Sequence, residues 1–259
     1  NILGPGNIKW YAKSSGTTND KSKFIPVSHE GLQRIHYKGG ADVVALYLRN
    51  TPKSKLFDGK SLILGGSHSP NYNLAGSLVG DLSAILIENI NPFANLVRVP
   101  AKKTALLSDF EVKRDRIAQE TLGKNITNIS GVPSWMLSVL VRIMELSGKE
   151  HLEEVWPNLE VFFHGGIAFT PYRKQYEKLI TKSDMHYMET YNASEGFFGI
   201  QDDPSDSSML LMIDYDVFYE FIPMEEFGKD NATVVPLSGI ELGRNYAMVI
   251  TTSCGLWRY

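Results

Sequence analysis

The sequence holds a single cysteine, Cys254, in 259 residues. One thiol forms no internal disulfide and builds no cysteine zinc site, which excludes a disulfide scaffold and a zinc ribbon. Apolar residues never run on for the roughly 18 positions that a membrane-spanning helix needs. Internal repeats and low-complexity tracts are absent as well. Neither sign of charge prevails: 26 Lys+Arg stand against 29 Asp+Glu, a net charge of −3. That balance gives no overall field to draw nucleic acid or a membrane surface, so neither is expected as a partner. The first residues, Asn1 to Gly6, lack the basic segment and apolar core of a signal peptide, and a cytoplasmic location is expected. The last, Ala247 to Tyr259, read as a buried strand with no terminator, so the expectation is a piece of a longer chain.

Several chemistries lack their motif. No G-x-x-x-x-G-K-[ST] occurs, which removes the standard P-loop. The Gly4-x-Gly6 pair is followed by Lys9 where the dinucleotide fingerprint needs a third glycine. Without a G-x-S-x-G elbow, an esterase reading of His164-Gly165-Gly166 has no placed nucleophile. The six histidines show no H-E-x-x-H spacing or close cluster for a metal.

What remains is a globular composition, 43% apolar and 21% charged, with strand and helix signals in alternation. Ile8 to Lys13 and Lys23 to Val27 are expected strands. Ser28 to Leu48 reads as helical, weakened at Gly39-Gly40. Ser61 to Leu64 is a buried strand ending in Gly65-Gly66. Ser108 with Glu111 forms a capping box for a helix to about Leu122. Pro133 suits a first helical turn, Trp135, Met136, Val139, Leu140, Ile143 and Met144 recur at helical spacing, and Gly148 closes that helix. Leu159 to Phe163 is a strand leading into His164-Gly-Gly166, and Thr170-Pro171 starts a helix with Tyr172, Tyr176, Leu179 and Ile180 on one face. His186 to Tyr191 is another strand. Short strands dominate from Leu210 to Thr252, after a polar loop at Gln201 to Ser208. The pattern is α/β, with layered sheets flanked by helices and a strand-rich C-terminal part.

Three turns at strand ends carry chemistry. In Ser14-Ser15-Gly16-Thr17-Thr18, small hydroxyl residues around a glycine let backbone N–H groups approach phosphate oxygens, and Lys21 or Lys23 adds positive charge. Glu195, in Tyr191-Asn192-Ala193-Ser194-Glu195-Gly196, is placed to hold Mg²⁺ on a phosphate, since hard oxygen ligands suit that ion. The glycines of His164-Gly165-Gly166 would let a flat ring lie against backbone. Each turn also has an ordinary reading: a polar hairpin, a solvated glutamate, a tight turn with a satisfied histidine. Their common position favours a ligand, because ligands in open α/β folds gather outside the strand ends.

Ser14 to Pro26 resembles the phosphate loop of the GH3 family of acyl acid amido synthetases. Tyr191 to Gly199 resembles that family's second ATP motif and Tyr246 to Tyr259 its third, in family order, and the likeness covers essentially the whole chain. The resemblance implies the large N-terminal domain of an adenylate-forming, luciferase-like enzyme. Residues 1–259 would form that ATP- and acyl acid-binding domain, incomplete at both ends and without its C-terminal domain. It implies ATP and Mg²⁺ as cofactors, a small carboxylic acid and an amino acid as substrates, an acyl-adenylate intermediate and an amide product. By position, Ser14, Ser15, Gly16, Thr17 and Thr18 would cradle the phosphates with Lys23 nearby. Glu195 would ligate Mg²⁺, and Glu195 and Thr18 are the catalytic candidates. Gly165, Gly166 and Ile167, with Tyr191, Asn192, Ala193 and Ser194, would hold the adenine and border the acyl carboxylate, and Arg258 would lie near the nucleotide. His164, Phe197 and Trp135 are candidates for the acyl pocket, with core packing the plainer expectation for Trp135 and its helix neighbours. Of Phe197 and Phe198, one ring is expected on the acyl group and one in the core. The five other histidines are expected at the surface or as satisfied core residues.

Two positions depart from the plant pattern: Asn192-Ala193 stands where small residues of the Ala-Ser type are usual, and His164-Gly-Gly166 replaces a Thr-Gly-Ala type of turn. The family's ribose-binding Asp would lie just past Tyr259, so this chain alone is expected to bind nucleotide weakly and to catalyse little. A thioester-forming ligase of the same superfamily and a catalytically silent nucleotide-binding protein are the competing readings.

Overall fold

The computed structural model describes residues 8–14, 23–70 and 77–259. Strands β1 (Trp10–Lys13) and β2 (Phe24–Val27) form an antiparallel hairpin in which Lys13 faces Phe24. Ser28 then caps α1 (His29–Gly31), its Oγ accepting the Gly31 N–H at 3.0 Å. The helix continues through a π-helical stretch, Leu32–Tyr37, into α2 (Lys38–Asn50). The weakening expected at Gly39-Gly40 does not break it. A Cβ at Gly39 would fall inside the Phe197 ring, so the missing side chain makes room for packing rather than for a turn.

The remaining elements follow in order: β3 (Lys60–Ile63), β4 (His68–Pro70), β5 (Leu78–Gly80), α3 (Leu82–Asn89), β6 (Arg98–Val99), α4 (Lys102–Ala105), α5 (Phe110–Thr121), β7 (Ile126–Gly131), α6 (Pro133–Ser147), β8 (Val161–Gly165), α7 (Thr170–Leu179), β9 (His186–Ala193), β10 (Gly196–Ile200), β11 (Leu210–Leu211), β12 (Val217–Pro223), β13 (Val235–Pro236) and β14 (Tyr246–Thr252). They build three sheets, ordered β2-β1-β5-β4, β11-β10-β9-β8-β7-β3-β6 and β13-β12-β14. In the seven-stranded sheet β6, β3, β7, β8 and β9 run parallel, and β9–β10 is an antiparallel hairpin.

Local chemistry explains most boundaries. Helix α6 carries Pro133 in its first turn and ends at Gly148 in the left-handed region, φ 65°, as the sequence predicts. Helix α5 is capped by Asp109 rather than Ser108, its Oδ1 accepting the Val112 N–H at 3.1 Å. Thr170 lies inside α7, whose cap position is Phe169.

Crossover helices α5, α6 and α7 cover one face of the large sheet around Ile117, Met136, Leu140, Phe162 and Tyr176. Helix α2 covers the other face, where Val43 and Tyr47 meet Val161, Phe163, Met188 and Phe197. A third core lies among Trp10, Ile25, Val27, Leu32, Phe198, Tyr219 and Ile250, between the two smaller sheets. Among the described residues no helix is long and apolar enough to cross a membrane.

Candidate active site

Parallel strands leave their C-terminal ends on one edge, and in this chain glycine recurs there: Gly65-Gly66 follows β3, Gly131 ends β7 and Gly165-Gly166 closes β8. The β8 turn requires them. Gly166 has φ 83°, and a Cβ on Gly165 would strike the Thr190 carbonyl of β9. Beyond β8 the residues Gly166, Ile167 and Ala168 are exposed, and so is Tyr191, which follows the Thr190 partner of Gly165 on β9. The Gly65-Gly66 turn is held from below by Lys113 of α5. Its buried ammonium donates to the Gly65 carbonyl at 3.0 Å and the Gly66 carbonyl at 2.9 Å. Burial pushes that ammonium's pKa down, and the charge of Asp81 opposes the shift.

Strand β9 extends through Ala193, two residues beyond the expected Tyr191, and Ser194-Glu195 make a two-residue turn into β10. Glu195 therefore sits at the tip of the β9–β10 hairpin. Its Oε1 accepts a hydrogen bond from the Tyr259 hydroxyl at 3.2 Å, and that hydroxyl accepts one from the Lys23 ammonium at 2.9 Å. The Lys23 Nζ also lies 4.7 Å from the centre of the Tyr259 ring. The hydrogen bond to Tyr259, with smaller help from the Glu195 charge, raises the Lys23 pKa above its ordinary value. Three segments far apart in sequence thus meet in one hydrogen-bonded chain.

Lys23 and Tyr259 are each anchored by backbone. Ser14 and Lys23 close the base of the first turn, with Ser14 N–H on the Lys23 carbonyl at 2.9 Å and Lys23 N–H on Ser14 Oγ at 3.3 Å. Ser15, Gly16, Thr17 and Thr18 lie outside the described residues. Tyr259 exchanges both backbone hydrogen bonds with Ile250 of β14, at 2.8 and 2.9 Å.

Other candidates sit elsewhere. Arg258, next to Tyr259, turns away and its Nε pairs with Glu220 at 3.0 Å. His164 is 2% exposed, stacked on Phe169 with ring centres 4.3 Å apart, and neither ring nitrogen has a partner. The acyl-pocket role expected of its side chain meets a ring inside the core, on the α6–α7 face. Phe197 and Phe198 are both buried, so neither ring is free for an acyl group. Phe197 packs on Gly39 and edge-on to Tyr215, while Phe198 meets Tyr191 and Tyr219. Trp135 is 40% exposed in the first turn of α6, against Phe110, while Met136, Val139 and Leu140 are core residues.

Sequence reasoning gave no role to Tyr259 or to His36. Arg258 lies in the left-handed region, φ 44°, so no strand alternation in the sequence pointed to Tyr259. His36, on the π-helical stretch, is buried, and its Nδ1 lies 3.0 Å from Asn192 Oδ1. Burial drives its pKa down to about 4 against the pull of that hydrogen bond. The partner lies 156 residues away, and no spacing rule reaches that far.

The donor set bears on a metal. Among the described residues no three His, Cys, Asp or Glu side chains gather around a common point. Glu195 alone fits Mg²⁺ that arrives on a nucleotide, where one carboxylate and phosphate oxygens share the ion, and does not fit a free-standing protein cage.

Residues 1–185 match the GH3 family N-terminal domain and residues 210–259 the GH3 family central domain. Indole-3-acetic acid-amido synthetase GH3.3 of Arabidopsis thaliana is 31% identical over 116 residues, which is 42% of this chain and 19% of that protein. Indole-3-acetic acid-amido synthetase GH3.8 of Oryza sativa subsp. indica is 34% identical over 119 residues, again 42% of this chain and 19% of that protein. The solved AtGH3.15 acyl acid amido synthetase in complex with 2,4-DB superposes on 99% of this chain with a TM-score of 0.78 at 20% identity, and the match covers 53% of that structure. The chain therefore spans about half the length of the solved protein whose fold it shares, and each curated alignment covers about a fifth of its relative.

Proposed function

We propose, from the premise that this chain belongs to the GH3 family, that it forms the nucleotide- and acid-binding part of an ATP-dependent acyl acid-amido synthetase. A carboxylate oxygen of the acid attacks the α-phosphorus of ATP, the α–β phosphoanhydride bond breaks and pyrophosphate leaves. The nitrogen of an amino acid then attacks the acyl carbon, a C–N bond forms, the amine loses a proton and AMP departs with the C–O electron pair. Bound Mg²⁺ would neutralise phosphate charge during the first step.

The chain's residues mainly position reactants and balance developing charge. Glu195 binds the nucleotide's metal from the hairpin tip. Lys23 faces the phosphates, with Ser14 to Thr18 supplying backbone donors. Gly165, Gly166, Ile167, Tyr191, Asn192, Ala193 and Ser194 give the nucleobase an open shelf at the strand ends, and Trp135 borders the acid. Arg258 acts through Glu220. The observation carrying the reading is the Lys23–Tyr259–Glu195 chain, which joins all three motif segments.

Acid-dependent exchange of labelled pyrophosphate into ATP, run over a panel of carboxylic acids with the natural protein that carries these residues, tests the first step. Product masses with amino acids and with coenzyme A test the second, amide against thioester. No exchange with any acid in a protein that binds Mg·ATP would leave a silent nucleotide-binding protein.

A further inference from the structure

His36 is the one histidine of the helix that is buried, and it lies in the π-helical stretch rather than in the regular turns on either side. A π-turn adds a residue to one turn and so redirects the side chains after it, and such turns concentrate at working sites. Here the redirected ring meets Asn192 of β9, three residues before Glu195. Asn192 pairs in register with Phe197 of β10, and Phe197 packs into the space left by Gly39, three residues after His36. The helix thus grips both strands of the hairpin at one rung: a hydrogen bond on β9 and an apolar contact on β10. Other bonds keep the helix from sliding along the hairpin. Tyr37 donates to the Leu86 carbonyl at 2.9 Å, and Lys38 reaches the Asp214 carbonyl at 2.8 Å.

We propose that His36 is a positioning residue for the Glu195 turn, a neutral imidazole whose Nδ1–H donates to Asn192 Oδ1 and fixes the hairpin tip that presents the metal-binding carboxylate. The direction of the bond follows from the acceptor: an amide oxygen requires Nδ1 to carry the proton. Desolvation keeps the ring uncharged at neutral pH. The π-turn belongs to this arrangement because the helix starts immediately after β2, the strand that leads out of the phosphate loop. One element therefore carries position from the first motif to the second. The proposal rests on the nucleotide reading for its consequence, but not for its geometry.

The test separates the two. In His36→Leu, which keeps bulk and removes the donor, the affinity for Mg·ATP falls by about tenfold, as for other partners that orient a metal ligand. The affinity for ATP in EDTA, which does not engage Glu195, stays within about twofold. His36→Gln, which restores a donor, recovers most of the loss. A loss that is equal with and without Mg²⁺, or a His36→Gln that recovers nothing, overturns the proposal. If the unmodified chain binds no nucleotide, the function reading fails and the positioning claim is read from backbone hydrogen exchange without ligand. There His36→Leu speeds exchange at Phe197 and Gly199 of the hairpin by about tenfold relative to Ile129 and Phe162, as local opening of one unit requires. Unchanged relative rates overturn it.

Discussion

The two faces of the seven-stranded sheet each bury a histidine, under different terms. On the α6–α7 face His164 sits in a cage of Phe162, Phe169 and neighbouring tyrosines, 2% exposed, with both ring nitrogens unpartnered. On the α2 face His36 is 4% exposed and bonded to Asn192. Burial lowers both pKa values to about 4, helped at His164 by the positive charge of Arg173 and opposed at His36 by the hydrogen bond. A ring that stacks and bonds to nothing fills space. A ring that meets a residue from another motif transmits position. Equal burial and equal pKa thus hide unequal roles, and the partner tells them apart.

The comparison can be broken at four levels. The largest effect of a single substitution belongs to the α6–α7 face as bulk: Phe162→Ala empties a fully buried site and lowers unfolding free energy by about 4 kcal/mol in urea titrations. Its effect on Mg·ATP affinity is expected to be small, because the cavity opens on the face away from α2. Next comes acid. Both histidines have folded pKa values below the unfolded 6.5, so the unfolded chain binds more protons between pH 6.5 and about 4. Their stabilisation is therefore complete above pH 6.5 and is lost as the pH falls toward 4, by about 3 kcal/mol for each histidine. Urea midpoints taken across that window should fall, and replacing either histidine should flatten the slope.

The third test is one of sign. His164→Phe removes two unsatisfied nitrogens and leaves stability unchanged or raises it by about 1 kcal/mol, whereas His36→Leu strands the Asn192 amide and costs about 2 kcal/mol at pH 7.5. Matching signs would erase the distinction drawn between the faces. The smallest effect on stability is at the exposed chain. Tyr259→Phe should leave the urea midpoint where it was, yet lower the Lys23 pKa toward its ordinary value, because the phenol oxygen is the largest cause of the raised one. Carbon-13 shifts of a dimethylated Lys23, followed against pH, read that change directly.

How much of this was legible in the sequence depends on range. The glycine turn at Gly65-Gly66 and the Pro133–Gly148 helix are local signals and appear where expected, while the strand expected over Leu159 to Phe163 lies two residues later, at Val161–Gly165, and takes in His164 and Gly165. Capping was off by one residue because Ser108 and Asp109 are both good caps, and only the bond to Val112 chooses between them. Gly39 gave the wrong sign, since a glycine that admits a ring from a distant strand looks like one that breaks a helix. His164 misled because Val161 to His164 are all buried, so no alternation reveals which face receives which side chain. Tyr259 and His36 stayed silent, their partners lying 236, 64 and 156 residues away. The motifs marked three segments, and the bonds that join them are a property of the fold.

The continuous helix of residues 29–50 has one more consequence. Leu32 belongs to the core between the smaller sheets, while Ile35, Val43 and Tyr47 belong to the core under the large sheet. An element shared by two cores makes them one cooperative unit. Neither can melt alone without exposing the shared helix to water, so the two should open in a single transition with one denaturation midpoint and one slope.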